Sequence, residues 1–222
     1  GDGEYVLFVP DCDRKIVEST VPSDAERARA SIRTVAAPGQ NVFLRVAVLP
    51  YQELGAGRLE VADLEYNGPA ARVVPPIAAD SMRTYFQNYR YSERGTAEMA
   101  LLPDNAMYFE KGITQCFWIR LAVPKNVEPG RYLGAFRFRA VRLDVTEIPV
   151  EIEILPLKLD FELPGSYGMY YSGRPGPRPD GDGYRKVLVD QMTWMRGLGM
   201  TSMTVPVSVD VPRDDQIGRA HV

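Results

Sequence analysis

The sequence has a single histidine, His221, and only two cysteines, Cys12 and Cys116. One imidazole cannot by itself supply the clustered ligands of a His-rich metal site. The two thiols lie far apart and outline no disulfide framework. Two readings of them stay open: a pair joined in an oxidising compartment, or unpaired thiols with Cys116 buried in a strand. The second is the favoured one. No apolar run reaches the roughly 18 residues that a membrane-crossing helix requires. Neither sign of charge dominates: 26 Lys and Arg stand against 29 Asp and Glu, a net charge of -3. That balance argues against nucleic acid and against an anionic membrane as partner. No ligand-spaced cluster of His, Cys, Asp or Glu is visible, so neither a metal nor a cofactor is expected.

Turn formers, by contrast, are plentiful. The chain carries 19 Gly and 18 Pro, which suits a β-rich protein with many reversals. Hydrophobic residues make up 45% and charged residues 25%, enough for a core of ordinary size. Residues 4–9 read as a strand, and residues 10–26 as a polar stretch broken by Pro10 and Pro22. A further strand is expected from Ala28 to Val35, ending at the Pro38-Gly39 turn. Val42 to Leu49 is apolar apart from Arg45, the pattern of a strand central in a sandwich. Leu59 and Val61 mark a half-exposed strand, and Asn67-Gly68-Pro69 a turn. Met82 to Tyr91 is rich in Tyr, Phe and Arg. Its rings have the chemistry to stack on a sugar, but an exposed strand with aromatic cross-strand pairs is the favoured reading. Leu101-Leu102-Pro103-Asp104 reads as a loop with an apolar anchor.

The strongest period-2 signal spans residues 116–154. Phe117, Ile119, Leu121 and Val123 alternate with Cys116, Trp118, Arg120 and Ala122. After Pro129-Gly130, Tyr132, Gly134, Phe136 and Phe138 alternate with Arg131, Leu133, Ala135, Arg137 and Arg139. Ile148, Val150, Ile152 and Ile154 then alternate with Pro149, Glu151 and Glu153. This predicts three antiparallel strands with one face buried. Arginines of one strand are expected opposite glutamates of the next, as a solvated charge ladder. Trp118, flanked by apolar residues, is read as core rather than as a sugar platform.

After residue 157 the pattern changes. Residues 158–165 read as a linker that ends at Leu163-Pro164-Gly165. Ser166 to Ser172 is a Tyr-rich strand. The loop from Gly173 to Gly183 is long for a βα connection, which makes it a candidate functional loop. Tyr184 to Leu198 predicts a helix, with Tyr184, Leu188, Met192 and Met195 as its apolar stripe. Asp180 or Asp182 is placed to cap its start and Gly199 to end it. Trp194, on this helix, is read as barrel packing. Met200 to Val209 is apolar enough for a buried parallel strand. Strand, helix and strand make a βαβ unit. The fold class is therefore mostly β: an antiparallel β-sandwich over residues 1–157, then the first βαβ unit of a truncated (β/α)8 barrel over 166–216. Residues 217–222 match the translation of ATC GGA AGA GCA CAC GTC, a string that resembles a common sequencing adapter. They are expected to be a non-native tail on a gene product cut short.

Several segments, in order, resemble proteins of glycoside hydrolase family 123 and the related DUF4091 group. They are Ala37-Pro38-Gly39-Gln40, the Leu59 to Leu64 strand, Leu102-Pro103-Asp104, Trp118 through Val123-Pro124, Glu128-Pro129-Gly130-Arg131-Tyr132-Leu133-Gly134, Leu163-Pro164 and Tyr167-Gly168-Met169-Tyr170-Tyr171. The likeness covers residues 30–210. It implies an N-terminal β-sandwich, a linker and a (β/α)8 barrel. It also implies removal of terminal β-linked N-acetylgalactosamine by a barrel Asp-Glu pair that assists the substrate's own acetamido group. A bacterial secreted protein, extracellular or periplasmic, is the implied location.

No Asp-Glu of this chain falls at the end of a predicted barrel strand, so no catalytic residue is assigned. Barrel active sites gather at the carboxyl ends of the strands. Tyr170, Tyr171 and Ser172 end the first strand, and Asp210 and Ser208 the second. Tyr170, Tyr171, Ser172 and Asp210 are the candidate substrate-binding residues. The sequence thus points to the non-catalytic front end of a hydrolase acting on β-linked N-acetylhexosamine glycans, with a glycan as ligand. The alternative is a carbohydrate- or surface-binding sandwich of an extracellular protein without hydrolase activity.

Overall fold

The computed structural model describes residues 3–11, 13–28, 31–69, 73–91, 97–141, 143–157, 167–170, 182–197 and 199–204. The chain divides into two compact units, Gly1–Leu159 and Asp160–Val222.

The first unit is built from two sheets. One contains β1 (Tyr5–Phe8), β3 (Asn41–Pro50), β9 (Gln115–Ala122), β6 (Met82–Tyr91) and β7 (Ala97–Leu102), paired in that order. The other contains β2 (Ile32–Ala36), β11 (Thr146–Ile154), β10 (Gly130–Ala140), β4 (Gly55–Glu60) and β8 (Ala106–Phe109), with β5 (Glu65–Tyr66) also pairing β10. Alternate residues face inward, as the period of 2 dictates. Val42, Leu44, Val46, Val48, Phe117, Ile119 and Leu121 of the first sheet bury against Leu59, Phe136, Phe138, Ile148, Val150, Ile152 and Ile154 of the second. Ring pairs bridge the layers: Phe109 of β8 lies 5.9 Å from Phe117, and Tyr5 of β1 lies 5.4 Å from Phe138. The architecture is a mostly β, sandwich-like fold.

The alternation correctly marked which faces are buried, but β9, β10 and β11 do not form one ladder. β10 and β11 pair with each other, whereas β9 crosses to the other sheet between β3 and β6. Alternation reports burial and is silent on the partner. The charge ladder is present on the outer face of the second sheet. Arg137 stands opposite Glu147 and Arg131 opposite Glu153 in the register. Arg137 reaches Glu147 at 3.0 Å, and Glu60 lies between Arg58 at 2.7 Å and Arg139 at 2.9 Å.

Two local readings need correction. The strand expected from Ala28 starts at Ile32 instead, and Ala28 ends a short helix, α1 (Asp24–Ala28). Its cause is a capping box: the Ser23 N–H donates to Glu26 Oε2 at 2.8 Å, and the Glu26 N–H donates to Ser23 Oγ at 3.3 Å. β2 then joins β11 in parallel, inside an otherwise antiparallel sheet. Leu101 and Leu102 belong to β7 rather than to a loop.

The Pro-Gly-x-Tyr-x-Gly segment has a steric origin. Gly130 adopts a φ of 138°, and a Cβ there would stand 2.7 Å from the Tyr66 ring. At Gly134 a Cβ would meet Leu64 Cδ2 at 2.6 Å and the Asp63 carbonyl at 2.9 Å. Tyr132, between them, is fully buried and donates to the Glu128 carbonyl at 3.0 Å.

In the second unit, β12 (Gly168–Tyr170) and β13 (Ser202–Thr204) run parallel, joined through α2 (Asp182–Gly197). This is a βαβ arrangement. Gly168 admits β13 at close range, because a Cβ would lie 2.1 Å from the Ser202 carbonyl oxygen. The helix ends as the sequence indicates. Gly199 takes a φ of 93°, and the Met200 N–H donates to the Met195 carbonyl at 3.2 Å. Of the expected apolar stripe, Met195 is buried and Met192 is 37% exposed. Trp194 is 52% exposed.

Candidate functional site

Two places hold the chemistry of this chain. The first is the carboxyl end of the parallel pair. Tyr170 and Thr204 stand in register there, on adjacent strands. Tyr171, Ser172 and Asp210, with Ser208, lie outside the described residues, as does most of the long loop before α2. Thr204 was not singled out from the sequence, because its pairing with Tyr170 depends on a register that no local pattern encodes. A small cleft of about 180 Å3 lies elsewhere in this unit, lined by Met192, Met195, Arg196, Met200, Thr201 and Ser202. It lies at the amino end of β13, away from Tyr170 and Thr204.

The second place is the outer face of the five-stranded sheet. Part of it is covered by the connection from β1 to α1. Ile16 is buried there with Phe8, Ala47, Leu49 and Cys116. The connection is held by side chains rising from the sheet. Arg45 is 8% exposed and donates through Nη1 to the Arg14 carbonyl at 2.7 Å, and through Nη2 to the Asp11 carbonyl. Gln87 Nε2 donates to the Ile16 carbonyl at 2.9 Å, while its Oε1 accepts from Trp118 Nε1 at 2.8 Å. Thr114 Oγ1 donates to the Thr20 carbonyl at 2.6 Å.

Trp118 is therefore not part of the main core. It lies half-buried on the outer face, with the Arg45 guanidinium 5.0 Å from its ring centroid. Its indole N–H and one flank are already engaged, so it is not a free sugar platform. Tyr85 is buried beside it, against the expectation of an exposed aromatic strand. Cys116 lies in the same layer. Burial pushes its thiol up to about 12, against a weaker lowering by Arg45. It is a free cysteine and a packing residue, not a nucleophile.

Next to the covered part, one transverse row remains open. Phe43 of β3, Arg120 of β9 and Arg83 of β6 are direct cross-strand neighbours. Phe43 is 43% exposed. Arg120 is half-buried, with a buried Nε that has no hydrogen-bond partner. Arg83 is exposed, its guanidinium 5.6 Å from the Tyr85 ring centroid. Beside the row opens a cleft of about 600 Å3, lined in part by Asp11, Ser31, Arg33, Thr34, Phe43 and Arg45. That volume suits a small ligand. Among the described residues no His/Cys/Asp/Glu group is placed to hold a metal ion. Among them, too, no helix is long and apolar enough to cross a membrane.

No family model matches the chain, and no curated protein matches it. In fold it is similar to a family 123 glycoside hydrolase from Clostridium perfringens, with a TM-score of 0.70 at 14% identity. The match covers 90% of this chain and 37% of that one, so the chain spans well under half the length of that enzyme. At that identity the likeness establishes a distant fold relationship. A beta-glucosidase from Listeria innocua matches at a TM-score of 0.28 and 11% identity, over 68% of this chain and 16% of its own. A DUF4466 family protein from Parabacteroides merdae matches at 0.30 and 11%, over 66% and 42%. Scores that low carry no functional argument.

Proposed function

We propose that the chain is the non-catalytic N-terminal part of a glycoside hydrolase acting on β-linked N-acetylhexosamine glycans, N-acetylgalactosamine above all. One observation carries the reading: the likeness to the family 123 hydrolase runs through both units, over 90% of the chain. On this reading the sandwich is a scaffold and the parallel β12–α2–β13 segment opens a (β/α)8 barrel. The exposed Val189, Met192 and Trp194 of α2 fit it, because a barrel helix buries its flanks against neighbouring helices. Tyr170, Tyr171, Ser172 and Asp210 would then line one side of a sugar subsite. The catalytic carboxylates would come from later strands. A bacterial enzyme meeting glycans outside the cell would be secreted or periplasmic.

The test compares the product of the full reading frame with this 222-residue chain on a chromogenic N-acetyl-β-galactosaminide. The longer product is expected to turn it over and the shorter one to be inactive. Turnover by the shorter chain, or none by the longer one on any β-N-acetylhexosaminide, would overturn the reading. A second reading, a carbohydrate-binding sandwich without hydrolase activity, is favoured by the open Phe43–Arg120–Arg83 row.

A further inference from the structure

The geometry points to an anion-binding site on the outer face of the five-stranded sheet, built by Arg83 and Arg120 with Phe43 as its apolar wall, for a sugar that carries a carboxylate or a sulfate. It rests on the sandwich alone and stands whether or not the parent protein is a hydrolase.

Three observations support it. Arg83 and Arg120 are directly opposite one another on antiparallel strands. Directly opposed residues have Cβ atoms about 4.5–5.5 Å apart, and like charges so placed repel. A chain that keeps both, with no ion pair to either among the described residues, holds a standing electrostatic cost. The five arginines of the opposite sheet, Arg33, Arg58, Arg131, Arg137 and Arg139, each have a glutamate partner. Among the described residues no ion pair reaches Arg83 or Arg120. Arg45, two residues from Phe43 on β3, is a further cation and is bonded to backbone carbonyls.

Second, Arg120 Nε is sealed from solvent and has no acceptor in the protein, so no hydrogen bond at Nε competes for the guanidinium. A guanidinium is a rigid fork of donors matched to a planar carboxylate or a sulfate. Third, the row ends at the exposed Phe43 ring, beside the cleft of about 600 Å3. A pyranose presents a flat C–H face to such a ring while its acidic substituent reaches the arginines. Two cations and an aromatic wall recognise a charged sugar. Nothing in the row would select a neutral one.

The experiment titrates the 222-residue protein with three probes by calorimetry at low salt. They are a chondroitin sulfate tetrasaccharide, its desulfated counterpart with carboxylates only, and a neutral N-acetylgalactosamine oligosaccharide. Saturable one-site binding is expected for at least one charged probe and none for the neutral one. Binding of both charged probes assigns the carboxylate as sufficient, and binding of the sulfated probe alone assigns the sulfate. Arg83→Gln and Arg120→Gln are each expected to weaken binding at least about tenfold, as loss of one charge-assisted contact implies. Arg137→Gln removes the same charge from the opposite sheet and is expected to change nothing. Arg83 is exposed, so its variant tests the site even if Arg120→Gln fails to fold. Equal affinity for the neutral probe, no saturable binding of either charged one, or equal weakening by Arg137→Gln would each overturn the inference.

Discussion

Arg83 and Arg120 face each other across β6 and β9, and among the described residues neither has an ion-pair partner, while Arg33, Arg58, Arg131, Arg137 and Arg139 of the opposite sheet each have a glutamate. In the absence of ligand this pair opposes folding. Replacing Arg83 with Gln should therefore raise stability by about 0.2–1 kcal/mol, and Arg83→Glu should raise it further. Surface repulsion is screened by salt. The wild-type melting temperature should rise from low to moderate salt more than that of Arg83→Glu. Thermal denaturation at two ionic strengths checks both. A loss of stability in Arg83→Gln would mean that the guanidinium has an uncounted stabilising role.

Gln87 serves both the sheet and the segment above it. Its amide bonds Trp118 Nε1 with one end and the Ile16 carbonyl with the other, and it is 2% exposed. Gln87→Leu would leave the Trp118 indole N–H without its acceptor, at a cost of roughly 1–3 kcal/mol, while the Ile16 carbonyl keeps the Tyr89 hydroxyl as a donor. The variant should be destabilised by an amount in that range. It should also loosen the connection above the sheet before the sheet itself. Hydrogen exchange should rise first at Val17 and Thr20, whose turn carries that connection, while the β3–β9 ladder stays protected.

Which of these features the sequence announces follows from the range of each interaction. Alternation from Phe117 to Ile154 names the buried faces, because burial repeats every second residue whatever the partner. It cannot say that β9 pairs β3 and β6 while β10 pairs β11. The Arg131–Arg139 and Glu147–Glu153 alternation does foretell the ladder, since a short reversal puts those strands side by side. The Ser23-x-x-Glu26 capping box is a local pattern, legible in the sequence within the polar stretch of residues 10–26. Arg45 reads as a lone charge in an apolar strand. Its role appears only when Asp11 and Arg14, distant in sequence, are brought above it. The Arg83–Arg120 register is hidden for the same reason. Of the four candidate sugar-binding residues, only Tyr170 lies among the described residues.

Cys116 gives a test of burial that is independent of packing energetics. With its thiol pushed up to about 12, the native protein should resist alkylation at pH 8 and react only after unfolding. The linkage sign is that of a raised acid. Below the unfolded value of 9.0 both states keep the proton. Between that value and about 12 only the unfolded chain releases it, so stability falls with rising pH, by up to about 1.4 kcal/mol per unit. Cys116→Ala should lack that alkaline component. Rapid modification of native Cys116 at pH 8 would contradict the burial.

Gly134 tests the steric reading of the turn segment. Ala there would press its Cβ against the Asp63 carbonyl and the buried Leu64 side chain. Backbone on one side and close-packed core on the other leave no room to yield. Gly134→Ala should cost about 1–3 kcal/mol, the range for an overpacked methyl. Gly197→Ala is the contrasting case, because nothing lies within 4 Å of a Cβ there. That change, at the end of α2, should be neutral or slightly stabilising. Chemical denaturation of both variants separates steric exclusion from a general intolerance of glycine replacement.

Glu60 provides the acid-side counterpart. A hydrogen bond from Arg139 is the main influence holding its carboxyl below the ordinary 4.5, with Arg139 and Arg58 adding their charge and slight burial opposing. For a depressed carboxyl, the stabilisation is complete above the unfolded value. It is lost as pH falls through the folded one. Glu60→Gln should therefore lower stability by a constant amount at neutral pH, and the gap to wild type should close below about pH 4.5. The loss at neutral pH should be modest, because the carboxylate and both arginines keep contact with water. Arg139→Gln removes the largest influence and should reproduce most of the effect with the same pH dependence. Denaturation midpoints of wild type and both variants from pH 3 to 7 decide it. A gap that widens on acidification would mean that Glu60 is protonated more easily in the folded protein than in the unfolded chain.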